Sequence, residues 1–198
     1  IYTALKYPFY LIKVAIRKVF INIFKLDIIG QDSIEDLKKP LIIISNHLSL
    51  IDVPLIGSIF PLRFIFPINP TIAKMKIVRI GKVFTQIFPI KPTHSQKLRP
   101  FIQMIKLMSN GVIFPEGHRS PTGNLLKIYD GTGFCARLSN ANILPIYLDG
   151  PQLHLTARPE LTRPKYWFPQ ITVNIGKPFK IDHPKHGDRI ILNTTMVQ

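Results

Sequence analysis

Hydrophobic residues along the 198-residue chain fall in short blocks, and their period changes from one block to the next. "LIIIS" (residues 41–45) is an unbroken β-branched and aliphatic run, too short for a helix, and it reads as a strand buried on both faces. "RFIF" (63–66), "IFPI" (87–90), "VIF" (112–114), "ILPIYL" (143–148) and "ITVNIG" (171–176) have the same character. Stretches with helical spacing lie between them. "DVPLIGSIF" (52–60) places Asp52 as the expected N-cap and Pro54 in the first turn. "TIAKMKIVRIGKVF" (71–84), "SQKLRPFIQMIKLMSN" (95–110) and "GFCARLSNA" (133–141) follow, the second of them amphipathic and stopped at Gly111. This alternation predicts an α/β fold with a central mainly parallel or mixed sheet flanked by helices. Such sheets gather ligands at the carboxyl ends of their strands, and His47 and Glu116 both stand just past such ends.

The first 25 residues have a different pattern. "IYTALKYPFYLIKVAIRKVFINIFK" is apolar almost throughout, but Lys6, Lys13, Arg17 and Lys18 break every run long enough to span a bilayer. Wound as a helix, Lys6, Lys13 and Arg17 share a face, with Lys18, Asn22 and Lys25 beside it. The pattern predicts an amphipathic membrane-interface helix over 1–25, its long cations reaching lipid headgroups, followed by a separate domain over 26–198. The competing arrangement is a core helix docked on the domain's own sheet. No small-residue cleavage site follows, so a removed leader fits less well.

Composition sharpens this picture. The chain is 46% hydrophobic and 19% charged, which describes a globular protein. It carries 26 Lys and Arg against 11 Asp and Glu, a formal net charge of +15, which points to a polyanionic partner. No nucleic-acid motif is present, and the aromatics are mostly Phe inside apolar runs, so an anionic membrane surface is expected rather than nucleic acid. The single cysteine, Cys135, excludes an internal disulfide. The chain starts at Ile1 and ends on "NTTMVQ", so further protein is expected beyond residue 198.

The chemistry concentrates in two stretches. In "SNHLSLID" (45–52), His47 can serve as a base near neutral pH once a carboxylate fixes its tautomer, and Asp52 reaches it if the chain folds back between them. A loop histidine beside a plain N-cap is the bland alternative. In "VIFPEGHRSPTG" (112–123), a strand delivers Glu116 into a turn at Gly117, followed by Arg119, a natural phosphate cradle. An ordinary strand-end turn with a surface ion pair is the alternative there. "GTGFCA" (131–136) imitates a dinucleotide fingerprint, but Lys127 argues against the buried strand that it would need. His183 and His186 lack a nearby third ligand, so no metal is expected.

Together the two stretches resemble the blocks of the glycerolipid acyltransferase family, which acylates lysophospholipids. "NHLSLID" is similar to its Asn-His-x-x-x-x-Asp block, "VIFPEGHRS" to its Phe-Pro-Glu-Gly block, and "ILPIYLDG" (143–150) to its fourth. The residues from "LLKIYDGTGF" onward look like the acyltransferase portion of the bifunctional 2-acylglycerophosphoethanolamine acyltransferase/acyl-carrier-protein synthetase. The resemblance implies an O-acyltransferase without a cofactor, using His47 and Asp52 as a catalytic dyad. Glu116, Gly117, Arg119 and Ser120 would bind the acceptor. Lys91 would assist them, standing in "FPIK" where the family's second block carries arginine. The implied substrates are a lysophospholipid, foremost lysophosphatidylethanolamine with lysophosphatidate as the alternative, and an acyl-ACP or acyl-CoA thioester. The implied setting is the cytoplasmic face of the inner membrane, with a fused synthetase or transporter module beyond residue 198. A non-catalytic basic membrane-binding module is the reading from another class; it accounts for the charge but not for two ordered blocks at strand ends.

Overall fold

The computed structural model describes residues 6–34, 37–60, 63–74, 86–89, 98–108, 110–158, 160 and 164–181. The helices are α1 (Lys6–Ile23), α2 (Asp52–Ile59), α3 (Pro70–Ala73), α4 (Leu98–Met108) and α5 (Gly131–Ser139). The strands are β1 (Asp27–Ile29), β2 (Leu41–Ser45), β3 (Ile65–Ile68), β4 (Gln86–Pro89), β5 (Asn110–Ile113), β6 (Asn142–Asp149), β7 (Thr172–Ile175) and β8 (Phe179–Lys180). The sheet runs β1-β7-β6-β2-β5-β3-β4, with β8 also paired to β6. Strands β2 to β6 are mutually parallel, and β7 and β8 return antiparallel to β6. The sheet is therefore mixed with a parallel centre, as the alternation of elements predicts.

The run "LIIIS" shows why β2 is central. Leu41 and Ile43 point into one core, with Leu144, Ile146 and Val173. Ile42 and Ile44 point into the other, with Ile143, Phe101 and Ile105. A strand apolar at every position is stable only when both faces are covered. Phe20, Phe24, Leu55 and Ile56 of the α1–α2 side close the first face. Phe101, Ile102 and Ile105 of α4, with Cys135 and Ala136 of α5, close the second.

Some boundaries differ from the sequence pattern. Strand β3 begins two residues after "RFIF" opens, because Phe64 is buried in the α-side core while Ile65 is the first residue paired to β5, at Gly111. Of the helix expected over 71–84, residues 75–84 lie outside the described residues, and α3 covers Pro70–Ala73. Strand β1 precedes the polar stretch "GQDSIEDLKKP" (30–40), within which Gln31–Ile34 forms a short 3-10 turn.

Helix α1 divides its cations differently from the expected stripe. Lys13 lies on the same face as Phe20 and Phe24 and is buried with them. Its Nζ donates to the carbonyl of Phe60 at 3.0 Å. Phe60 is the C-cap of α2, where helix carbonyls lack partners and a cation is favoured. Burial, reinforced by Arg63, lowers the Lys13 ammonium to about 8. Lys13 therefore does not reach headgroups. Leu11, Val19, Ile21 and Ile23 are exposed on the outer surface of the same helix. No helix among the described residues is long and apolar enough to cross a membrane.

Candidate active site

Parallel neighbours β5, β2 and β6 end on the same edge of the sheet, and each sends a loop into the site. The main chain leaves the ladder after Ser45. Asn46 then replaces the next rung with its side chain: its Oδ1 accepts from the Leu148 N–H at 2.8 Å and its Nδ2 donates to the Leu148 carbonyl at 2.9 Å. The amide is buried, so these bonds satisfy groups that water cannot reach. Asn46 thus ends β2 cleanly and presents His47 to the loop.

His47 is fixed through its backbone and its ring. Its N–H donates to Glu116 Oε1 at 2.9 Å, and its carbonyl accepts from the Ser120 N–H at 2.7 Å. The imidazole stacks on Phe114, with centroids 4.1 Å apart and planes 15° from parallel. Nδ1 lies 2.8 Å from Asp52 Oδ2, and that oxygen also accepts from the N–H groups of Leu48 at 2.7 Å and Ser49 at 2.8 Å. With an acceptor on Nδ1, the proton sits there and Nε2 carries the lone pair. The Asp52 side chain is completely buried, whereas that of His47 retains 19% exposure.

The expected N-cap role of Asp52 is corrected in detail. Ile51 is the N-cap, and Asp52 is the first residue of α2. From there its carboxylate turns back over the 47–49 turn instead of capping the helix forward. That reversal brings residues five apart into contact.

Glu116 follows β5 and is fully buried. One carboxylate oxygen accepts from His47 N–H and the other from Leu126 N–H, both at 2.9 Å. Burial raises its carboxyl above the usual value, and those two N–H bonds offset part of that rise. The geometry makes Glu116 a brace between His47 and the 124–126 loop. Glu116→Gln can present only one oxygen, which sets an amide NH2 against a buried N–H at about 1–3 kcal/mol. The expected outcome is a kcat lower by about 10–100-fold with the acceptor KM within about twofold, measured by steady-state kinetics.

Gly117 makes the turn at φ +72°, a left-handed conformation that glycine adopts without strain, and its N–H closes onto the Phe114 carbonyl at 3.0 Å. Ser120 is buried, its hydroxyl bonded to the Asn124 carbonyl at 2.7 Å. Arg119 is half-buried, and its Nη1 donates to the Thr156 carbonyl at 2.7 Å. Burial lowers its guanidinium below the usual value, Arg158 adds to that, and Asp52 and Glu160 oppose it. Lys91 lies outside the described residues.

Sequence patterns did not reveal the segment after β6. Thr156 Oγ1 sits 2.6 Å from Ser49 Oγ, and Ala157 bridges antiparallel to Ser49. Thr156 therefore ties Arg119 to the turn that carries His47 and Asp52. Asn46 and Phe114 stand inside "SNHLSLID" and "VIFPEGHRSPTG", but their roles follow only from the fold. Among the described residues no group of His, Cys, Asp or Glu is placed to hold a metal ion, and His183 and His186 lie outside them.

The chain's fold is similar to that in the crystal structure of the 1-acyl-sn-glycerophosphate (LPA) acyltransferase PlsC from Thermotoga maritima. The TM-score is 0.76 at 20% sequence identity, covering 98% of this chain and 79% of PlsC. The model of the family described as Acyltransferase matches residues 25–149, a span that contains β2, the His47–Asp52 turn, Glu116, Arg119 and all of β6. With more than half of the chain matched, and the matched span built around a carboxylate-oriented histidine at the sheet's carboxyl edge, the protein belongs to the Acyltransferase family.

Proposed function

We propose that this protein is a lysophospholipid O-acyltransferase. It moves a fatty acyl group from an acyl-ACP or acyl-CoA thioester to the free hydroxyl of a phosphate-bearing lysophospholipid, foremost lysophosphatidylethanolamine. The single observation that carries the reading is the exposed edge of His47, with Nδ1 held by Asp52, next to the loop that anchors Arg119. His47 Nε2 takes the acceptor hydroxyl proton as that oxygen attacks the thioester carbonyl. The C–O bond forms, the C–S bond breaks, and the imidazolium returns the proton to the leaving thiolate. The buried Asp52 carboxylate stabilises the imidazolium in between. The thioester is already activated, so the chemistry needs no protein nucleophile.

Arg119 supplies a planar fork for the acceptor's phosphate. Arg119→Ala is expected to raise the acceptor KM by about 10–100-fold while the thioester KM stays within about twofold. Product analysis with a panel of lysophospholipids against both thioester types tests the whole reading. A donor KM that moves alone assigns Arg119 to the donor, and no acylated product from any pair rejects the function.

The acceptor is a membrane lipid, and the approach in this reading is from the cytoplasmic face of the inner membrane. The exposed apolar residues of α1, and Tyr166, Trp167 and Phe168, which are also exposed, support such an approach. Phe168 packs edge-on against the buried Phe24, with centroids 5.5 Å apart. Aromatic side chains with a polar edge partition to the lipid interface, and a net charge of +15 draws the protein to anionic headgroups.

A further inference from the structure

Segment 150–158 leaves the carboxyl end of β6 and passes beside the active site, where Ala157 bridges to Ser49. It carries a cation that the reaction described above does not use. Arg158 stands two residues past Thr156, whose carbonyl holds Arg119, and next to Ala157, which bridges to Ser49 in the His47–Asp52 turn. Its Nε is buried with no hydrogen-bond partner. Its Nη1 lies 3.4 Å from Glu160 Oε1, a long contact to a carboxylate that is itself 58% exposed. Such a contact at a surface contributes little. Lys165 adds a further positive charge, its Nζ donating to the carbonyls of Gln152 and Arg158 at 3.3 Å each.

Arg119 and Arg158 are therefore held on adjoining main chain, and the Arg158 charge helps to lower the Arg119 guanidinium. Like charges fixed at short range repel unless an anion lies between them. Asp52 is turned away from this gap by its bonds to the 47–49 turn, and Glu116 by its bonds to His47 and Leu126. Glu160 is thus the near carboxylate with room to yield.

We propose that Arg158 is the second ligand of the acceptor's phosphate, forming with Arg119 a two-guanidinium clamp in which phosphate oxygens displace Glu160. The clamp rests on the reading of the reaction as acyl transfer to a phosphate-bearing lysolipid. It fixes the glycerol backbone at two points, so the hydroxyl meets His47 in one orientation. Phosphate groups also occur on an acyl-CoA donor, and the test separates the two sources.

The experiment is steady-state kinetics of the full chain with lysophosphatidylethanolamine, lysophosphatidate and phosphate-free monoacylglycerol as acceptors, each at a saturating thioester, and with the thioester varied in turn. Arg158→Ala is expected to raise the KM of both phosphate-bearing acceptors by about 10–100-fold, leaving the thioester KM and the monoacylglycerol rate unchanged. Arg158→Lys keeps the charge and loses the fork, so its KM should fall between wild type and Arg158→Ala. Glu160→Gln removes the competing carboxylate and is expected to lower the acceptor KM by about twofold. The thermal midpoint of each variant checks that the segment still folds. Folded Arg158→Ala with a wild-type acceptor KM overturns the clamp alone. A shift confined to the thioester KM also overturns it and moves Arg158 to the donor. Wild-type protein that acylates none of the acceptors overturns the functional reading and the clamp with it.

Discussion

Replacing His47 with alanine is expected to lower kcat by about 10²–10⁴-fold while the protein stays folded. The fold survives because the contacts that locate this residue are largely main chain. Its N–H still reaches Glu116, and its carbonyl still accepts from Ser120. Asp52 Oδ2 keeps the N–H groups of Leu48 and Ser49. What is lost is the ring, and with it the proton acceptor. Asp52→Asn is the companion test. Oδ2 makes all of the carboxylate's described hydrogen bonds, whereas Oδ1 is buried without a partner. An asparagine can therefore keep its oxygen on His47, Leu48 and Ser49 and place its NH2 in the empty position. The tautomer of His47 is retained, and the variant removes mainly the negative charge that stabilises the imidazolium. Its kcat is expected to fall by about tenfold or more, less than for His47→Ala. Circular dichroism and thermal melts establish folding, and product formation from acyl thioester and lysophospholipid gives the rate. Folded His47→Ala protein with near-normal turnover would end the general-base mechanism.

The parts of this fold that could be read in the sequence are those in which local pattern and tertiary environment agree. β2 is apolar from Leu41 to Ile44 because both its faces are covered, so four consecutive letters suffice to identify it. The dyad was visible because a strand end, a short loop and a helix start are local events. Features decided by distant packing were not legible. Strand β1 is three residues long, below any useful period, and exists because Asp27–Ile29 pairs with Thr172–Asn174. Lys13 looks like one member of a basic stripe, yet its destination is a carbonyl 47 residues away. Glu116 stands out as a carboxylate at a turn, but its partners His47 and Leu126 become evident only when β2 and β5 lie side by side. Thr156 and Arg158 belong to no motif, since a loop returning over a site is placed by the strands at its ends.

Removing residues 1–25 is expected to unfold the protein, which reverses the simplest expectation from an amphipathic leading segment. Phe20 and Phe24 are buried in the core that covers β2, and Phe24 also touches Phe168. Truncating a buried phenylalanine costs about 3–5 kcal/mol, and a domain's whole stability is about 5–15 kcal/mol. The loss of Lys13 also leaves the Phe60 carbonyl without that partner. The check is a thermal melt of the truncated chain, and a cooperative transition close to that of the full chain would show that α1 contributes little to the core. The membrane role of the same helix then needs a gentler variant. Leu11, Val19 and Ile23 are eight and four residues apart, two turns and one turn of the helix, and are all exposed. Changing the three to serine leaves the inner face intact, so the melt should be preserved. Burying a leucine, valine or isoleucine side chain fully contributes about 1.5–3 kcal/mol, so even partial insertion makes the triple variant bind anionic vesicles at least about tenfold more weakly. High salt should weaken association less than this substitution does, because headgroup attraction is screened and apolar burial is not. Undiminished vesicle binding by the folded triple variant would leave α1 as a core helix alone and shift the membrane contact to Tyr166, Trp167 and Phe168.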